Sequence, residues 1–178
     1  MGGAARDGGA EGLFDLLIRR GTVVAPDSTG QRDIGIRSGR IAALLDPDAE
    51  AHAAETIEAN GLLILPGAVD CHVHFREPGL THKEGFASGT RAAAAGGVTT
   101  VMVMPTDQPW TLTPEDFAAK RAMLEGKIHV DVALQAAVAG DLSNLDSIDT
   151  LVEAGAISFE MFLGDVPPAY VVGDNGKL

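Results

Sequence analysis

The run LLILPGAVDCHVHF at residues 62–75 begins a stretch of the chain in which strand-like and helix-like segments alternate. Helix-like segments separate it from three further strand-like runs, which are VTTVMVMP at 98–105, IHVDVALQAAV at 128–138 and AISFEMFL at 156–163. Thr113 is a strong start for the second helix, because this hydroxyl cap is followed by a proline and two acidic residues. The alternation predicts an α/β fold with a parallel sheet, either open or closed into a barrel.

The residues before this stretch predict a separate β-rich unit. LFDLLIRRGTVV and RDIGIRSGRIAALL supply short strand-like runs, with a bend expected at Arg20 and a tight turn at Ser38. We expect residues 13–62 to form a small antiparallel β-unit and residues 63–178 to form the α/β part. The glycine-rich residues 1–12 lack apolar periodicity and are expected to form a flexible tail.

The composition argues against a nucleic-acid-binding surface and against a membrane span. The chain has 13 lysines and arginines against 25 aspartates and glutamates, and its net charge of −12 opposes phosphate binding. No apolar run approaches the roughly 18 residues that a membrane helix needs, and the first twenty residues lack the features of a secretory signal. The single cysteine, Cys71, cannot form an internal disulfide. We therefore expect a cytoplasmic protein.

His72 and His74 are candidate metal ligands at the end of the first strand-like run. Side chains two residues apart on a strand share a face and lie about 7 Å apart along the chain. Two imidazoles at this spacing can bind one divalent ion such as zinc. Sites in α/β folds form at such strand ends. The pair alone is also compatible with two polar residues that bind nothing.

The longer stretch DCHVHFREPGLTHKEGFASGTRAAAAGGVTTVMVMPT at residues 70–106 resembles the metal-dependent cyclic amidohydrolases. This family includes dihydroorotases, allantoinases and hydantoinases. LLILPGAVD is similar to the strand that leads into the metal site of that family, and the β-rich start is similar to its N-terminal sandwich. The resemblance implies the front half of a (β/α)8 TIM-type barrel over residues 63–178, preceded by a small β-sandwich unit over residues 13–62.

The resemblance also implies roles for five residues. His72 and His74 become ligands of one or two zinc ions. Glu160 stands where the family has a carboxylated lysine that bridges two metals, and its shorter carboxylate is expected to be a ligand. Arg76 matches the arginine that holds the substrate carboxylate in dihydroorotases. Thr106 follows Met-Pro where dihydroorotases have an asparagine, and it is the second expected substrate-binding residue.

The implied activity is metal-dependent hydrolysis of a small cyclic amide, dihydroorotase-like, with an anionic ring as one candidate substrate. Hydrolysis of the allantoinase or hydantoinase type and a non-catalytic scaffold relative of the same fold stay open. The family places two more histidines and a proton-shuttling aspartate on later strands, so we expect these beyond Leu178. The 178 residues alone are therefore expected to be inactive, and the full-length protein is expected to be a homo-oligomer.

Overall fold

The computed structural model describes residues 13–47 and 49–173, and the chain divides into two compact units after Pro66. The predicted flexible tail at residues 1–12 lies outside the described residues. Within the two described ranges, no helix is long and apolar enough to cross a membrane.

The first unit contains a five-stranded sheet with its longest strand in the middle. On one side, a second strand pairs antiparallel with the central strand, and a third pairs antiparallel with the second. On the other side, two short strands pair parallel with the central strand. In chain order the strands are β1 (Phe14–Val24), β2 (Thr29–Arg37), β3 (Arg40–Leu45), β4 (Ala53–Glu58) and β5 (Leu63–Ile64). The prediction of a purely antiparallel unit is therefore wrong. Before β4 begins, the chain passes back to the start of β1, where the Phe14 amide donates to the His52 carbonyl. From there β4 runs in the same direction as β1.

The bend expected at Arg20 is a bulge inside one continuous strand. Arg20 has a φ of 59°, and the pairing of β1 with β2 shifts register between Ile18 and Gly21. The fully buried carboxylate of Asp33 holds the bulge, because it accepts hydrogen bonds from the Arg20 amide at 2.8 Å and from Arg19 Nε at 3.0 Å.

The tight turn expected at Ser38 is confirmed. Ser38 and Gly39 connect β2 to β3 with φ values of 51° and 71°. Positive φ at both central residues is the geometry that matches the twist of two hairpin strands.

The second unit is an α/β arrangement of parallel strands in sequential order, as the sequence predicts. β6 (Ala68–Val73), β7 (Val98–Val103) and β8 (Asp131–Leu134) form one parallel sheet, and β9 (Ala136–Ala137) pairs parallel with β10 (Phe159–Glu160). Because only Gln135 separates β8 from β9, one extended run joins the two sheets. The carboxyl ends of these strands consequently lie toward the same edge.

Three helices connect these strands, namely α1 (Phe86–Ala95), α2 (Pro114–Ala122) and α3 (Ile148–Ala154). The predicted cap of α2 is confirmed. The Asp116 amide donates to Thr113 Oγ1, and the Thr113 amide donates to the Asp116 carboxylate, each at 3.2 Å. This reciprocal pair satisfies two backbone donors that a helix start leaves free.

The apolar core of the second unit lies between the parallel strands and the helices. Phe86 of α1 is fully buried, and its ring meets that of Phe75 edge to face with the centroids 6.1 Å apart. Gly89 allows this contact, because a Cβ atom there would collide with the Phe75 ring. The cluster continues through further strand and helix residues, namely Val101, Val103, Phe117, Leu134 and Leu151. Helix α1 thus packs directly behind the strand end that carries His74.

Glu77 connects the segment after β6 to the start of α1 and to Lys127 through two hydrogen bonds. Its Oε2 accepts a hydrogen bond from the Phe86 amide at 2.8 Å, at the start of α1, where Gly85 has no side chain to serve as a cap. Its Oε1 accepts one from Lys127 Nζ at 2.7 Å. Burial by itself raises the pKa of Glu77, but the bonds from Lys127 and Phe86 outweigh it, so the pKa lies below its ordinary value.

We expect Glu77→Gln to lower the free energy of unfolding at neutral pH by about 1 kcal/mol, the usual value of a helix cap. A carboxyl whose pKa is lowered by folding stabilises the protein above its unfolded pKa and loses that effect as the pH falls. The difference between wild type and variant should therefore be complete above about pH 5 and shrink toward pH 3. Urea denaturation across this range measures it, with exposed Glu125→Gln as the control. An equal difference at both ends of the range would contradict the role given to Glu77.

Candidate active site

A cavity of about 700 Å³ opens at the carboxyl ends of the parallel strands of the second unit. All five residues singled out from the sequence line it: His72, His74, Arg76, Thr106 and Glu160. They come from β6, from the segments that follow β6 and β7, and from β10. Residues far apart in the sequence thus converge at the carboxyl ends of the parallel strands.

His72 and His74 lie side by side, as the alternation of a strand predicts. Their ring centroids are 5.2 Å apart, with the ring planes at 69°. Nδ1 of His74 lies 2.9 Å from Thr106 Oγ1. When Nδ1 donates this hydrogen bond, Nε2 keeps a lone pair for a cation.

The surroundings of His74 favour its neutral form. Burial lowers the pKa of His74, and the charges of Arg76, His72 and Lys120 lower it further. Only a neutral imidazole can bind a metal ion, so the site keeps His74 in the state that a ligand requires.

Glu160 brings a carboxylate to the same cavity. Its Oε2 is buried and has no hydrogen-bond partner in the described part of the chain. Burial raises the pKa of Glu160, and the nearby His72 lowers it. A buried carboxylate oxygen without a partner is rare, and in a residue that lines a cavity together with two imidazoles it fits a cation ligand.

The fit of these residues to a metal ion is incomplete within residues 13–47 and 49–173. No three His, Cys, Asp or Glu side chains there lie close enough to hold one ion between them. The paired imidazoles have the donor chemistry of a zinc or similar divalent site, and Glu160 adds a free oxygen at the same cavity. A shared metal position for all three therefore requires a different arrangement of these side chains.

Arg76 reaches the cavity through a turn after β6. Its φ of 61° lies in the left-handed region, and the Leu80 amide donates to its carbonyl at 2.9 Å. Nη1 of Arg76 lies 3.4 Å from both the carbonyl and the hydroxyl oxygens of Thr106. These are long hydrogen bonds, so the guanidinium keeps donors for a ligand in the cavity.

The segments that follow β6 and β7 are tied to each other. The Met104 amide donates to the Val73 carbonyl at 2.9 Å, and the Gln108 amide donates to the Pro78 carbonyl at 3.1 Å. Gly79, with a φ of 83°, lies so close that a Cβ atom would collide with the Gln108 carbonyl oxygen. We call residues 74–80 and 104–110 the paired segments.

Aromatic side chains and a loop after β10 complete the cavity, and of these the sequence pointed only to Trp110. Trp110 stacks on Tyr170 with the centroids 3.7 Å apart and meets Phe162 edge to face at 4.9 Å. Trp110, Phe162 and residues 164–167 all line the cavity. Trp110 gave a weak signal, because a lone tryptophan beside a proline fits cavity lining and loop packing equally.

A buried ion pair behind the cavity is the second feature that sequence reasoning missed. Lys120 of α2 pairs with Asp107, and the two side chains are 1% and 2% exposed. Burial raises the pKa of Asp107 and lowers that of Lys120, while the charge of each partner opposes these shifts. The available signal was Lys120 itself, which lies one helical turn after the buried Phe117 on the inward face of α2.

The chain is similar in sequence to one protein family and to allantoinases. Residues 61–162 match the family described as dihydro-orotase-like. The allantoinase of Rubrobacter xylanophilus is 44% identical over 151 residues, which cover 84% of this chain and 32% of that protein. The allantoinase of Salmonella paratyphi B is 40% identical over 165 residues, covering 92% of this chain and 34% of that protein. The chain therefore spans about a third of the length of these relatives.

The chain is also similar in fold to solved structures of hydantoinases. The L-hydantoinase (dihydropyrimidinase) of Arthrobacter aurescens matches with a TM-score of 0.82 and 30% identity, over 89% of this chain and 35% of that one. The D-hydantoinase (dihydropyrimidinase) of a Thermus species matches with a TM-score of 0.75 and 27% identity, over 90% of this chain and 35% of that one.

Proposed function

The chain belongs to the dihydro-orotase-like family of cyclic amidohydrolases, and on that premise we propose that the intact protein hydrolyses an amide bond in a small ring. One observation carries the proposal. The two imidazoles, the guanidinium, the hydroxyl and the carboxylate expected from the sequence line a single cavity at the strand ends. Its volume of about 700 Å³ suits a small organic ring.

We propose that His72, His74 and Glu160 hold one or two divalent ions, with zinc as the first candidate. When bound there, such an ion would supply Lewis-acid chemistry, namely polarisation of a substrate carbonyl and a lower pKa for a water molecule. Thr106 orients the imidazole of His74 through the 2.9 Å contact to Nδ1. The unpartnered Oε2 of Glu160 supports a ligand role for this residue.

Arg76, Thr106 and the aromatic side chains would hold the ring. The guanidinium of Arg76 can donate paired hydrogen bonds to ring oxygens or to a carboxylate. Trp110 and Phe162 line the same cavity with aromatic rings, which would pack against a bound ring and exclude water. Shielding from water strengthens each polar contact within the cavity.

Two rings are the leading substrates. The allantoinases among the similar proteins favour allantoin. Arg76 favours an anionic ring such as dihydroorotate, because its guanidinium lies at the cavity with hydrogen-bond donors to spare. Both substrates require the same ring-opening hydrolysis.

We also propose that the parallel strands of the second unit belong to a (β/α)8 barrel and that the first unit is part of a β-sandwich. The similarity of fold to the two hydantoinases over about nine-tenths of the chain supports this. A cytoplasmic homo-oligomer remains our proposal for the intact protein.

The test is ring hydrolysis by the purified intact protein before and after removal of metal. We expect about one or two divalent ions per chain, and opening of allantoin or dihydroorotate that stops on chelation and returns with Zn²⁺. Hydantoin and dihydrouracil, offered in parallel, define the preferred ring. A protein that contains no metal as purified and opens none of the four rings would contradict the proposal and favour the non-catalytic relative.

A further inference from the structure

The ion pair between Asp107 and Lys120 has no part in the chemistry proposed above. Neither side chain lines the cavity, so neither can touch a ring bound there. Removing two charges from water costs free energy, and apolar residues of similar size often serve stability as well or better. A fully buried pair next to a site therefore calls for an explanation other than stability.

Lys120 holds the chain on both sides of Thr106. Its Nζ donates to the Met104 carbonyl at 2.8 Å and pairs with the carboxylate of Asp107. Met104 lies two residues before Thr106, and Asp107 follows it directly. One ammonium group from α2 thus fixes both ends of the short, irregular segment that carries the hydroxyl.

Thr106 in turn contacts two of the residues that line the cavity. Its Oγ1 lies 2.9 Å from Nδ1 of His74 and 3.4 Å from Nη1 of Arg76. Its carbonyl oxygen also lies 3.4 Å from Nη1 of Arg76. The position of Thr106 therefore influences the orientation of both a metal-type donor and the expected ring-binding cation.

We propose that Asp107 and Lys120 are positioning residues that, through Thr106, set the orientation of the His74 imidazole and the Arg76 guanidinium. Their effect on turnover rests on the proposed function. Their effect on the His74 ring does not, because it is a property of the protein without metal or substrate.

The test variant is D107N/K120M, which carries neither buried charge and keeps both side chains near their original size. The matched control is R19M/D33N in the first unit, where Arg19 Nε bonds to the fully buried Asp33. Each variant removes an ion pair whose carboxylate is buried, so a general effect of losing such a pair on stability is common to both. Only the first is expected to alter the candidate site.

The first measurement is ¹⁵N NMR of the histidine rings in the metal-free intact protein. In the wild type, the bond to Thr106 should hold His74 in one tautomer, with two well-separated ring nitrogen signals. In D107N/K120M these signals should move toward those of His82, an exposed histidine that serves as the internal reference. They should stay in place in R19M/D33N. Unchanged His74 signals in D107N/K120M would overturn the proposal.

The second measurement is Zn²⁺ affinity, which should fall about tenfold in D107N/K120M, the lower end of the range for residues that orient a metal ligand. Thr106→Val should reproduce this loss and Thr106→Ser should avoid it. In the Thr106→Val background, D107N/K120M should add almost nothing, because the pair acts through the hydroxyl. Full additivity would overturn the proposal. If D107N/K120M does not fold, D107L/K120M takes its place, since an apolar pair leaves no buried charge without a partner.

The two proposals fail separately. A protein that binds no Zn²⁺ and opens no ring, but whose His74 signals shift in D107N/K120M, would contradict the proposed function and support the positioning role. If the protein opens a ring with equal kcat in the wild type and D107N/K120M, and its His74 signals are unchanged, the result would support the proposed function and contradict the positioning role.

Discussion

Replacing His74 with alanine should weaken Zn²⁺ binding by the intact protein by more than about 100-fold, because residues that merely orient a ligand contribute 10–100-fold. His74 is half of the imidazole pair, and Thr106 holds its ring against the cavity wall. Hydrolysis of the ring should fall at least in parallel. Competition with a chromogenic chelator measures the affinity, and a coupled assay measures the turnover.

His82→Ala is the matched control, because His82 is exposed and lies off the cavity. It should bind Zn²⁺ like the wild type. An unchanged Zn²⁺ affinity in His74→Ala would contradict the ligand role of the histidine pair. Glu160→Ala in the same series decides the role of the carboxylate, since a ligand loses affinity or stoichiometry on truncation and a structural carboxylate leaves both unchanged.

Phe86→Ala should lower the free energy of unfolding by about 3–5 kcal/mol, the usual range for a buried phenylalanine. The side chain is 0% exposed, and it packs edge to face against Phe75. Few neighbours can fill the space, because Val103 and Phe117 are held by a strand and a helix. Urea denaturation of the intact protein, followed by circular dichroism, measures the change.

Leu145→Ala is the control for this loss, because Leu145 is 43% exposed and should cost less than about 1 kcal/mol. A loss of less than about 1 kcal/mol in Phe86→Ala would show that the core behind His74 repacks freely. The expectation that α1 supports the strand end rigidly would then be wrong.

The parallel arrangement of the strands in the second unit could be predicted from the sequence, whereas the pairing in the first unit could not. In the second unit, each of the first three apolar runs is followed by a helix, and such units permit few topologies. In the first unit, the direction in which β4 pairs with β1 depends on the end of β1 to which the preceding connection leads. Nothing in residues 46–52 shows that β4 runs parallel to β1 rather than antiparallel.

The residues of the candidate site could be predicted from the sequence where they lie a few positions apart in the chain. His72 and His74 alternate on one strand, so a two-residue repeat places them together. The partnership of Asp107 with Lys120 depends on how α2 packs behind β7, and no local pattern encodes that. The stacking of Trp110 on Tyr170 likewise joins residues sixty positions apart. Sequence therefore indicated the groups that face the cavity better than those that support them.

The paired segments after β6 and β7 have a consequence for how this scaffold can diversify. Since Gln108 bonds to Pro78 and packs against Gly79, an insertion in one segment would break the register of the other. Loops that are independent can be exchanged one at a time, but these two have to be inherited together. Lineages that acquire a new ring preference through this part of the cavity would therefore carry correlated changes in both segments, and a library for laboratory evolution should recombine them as one cassette.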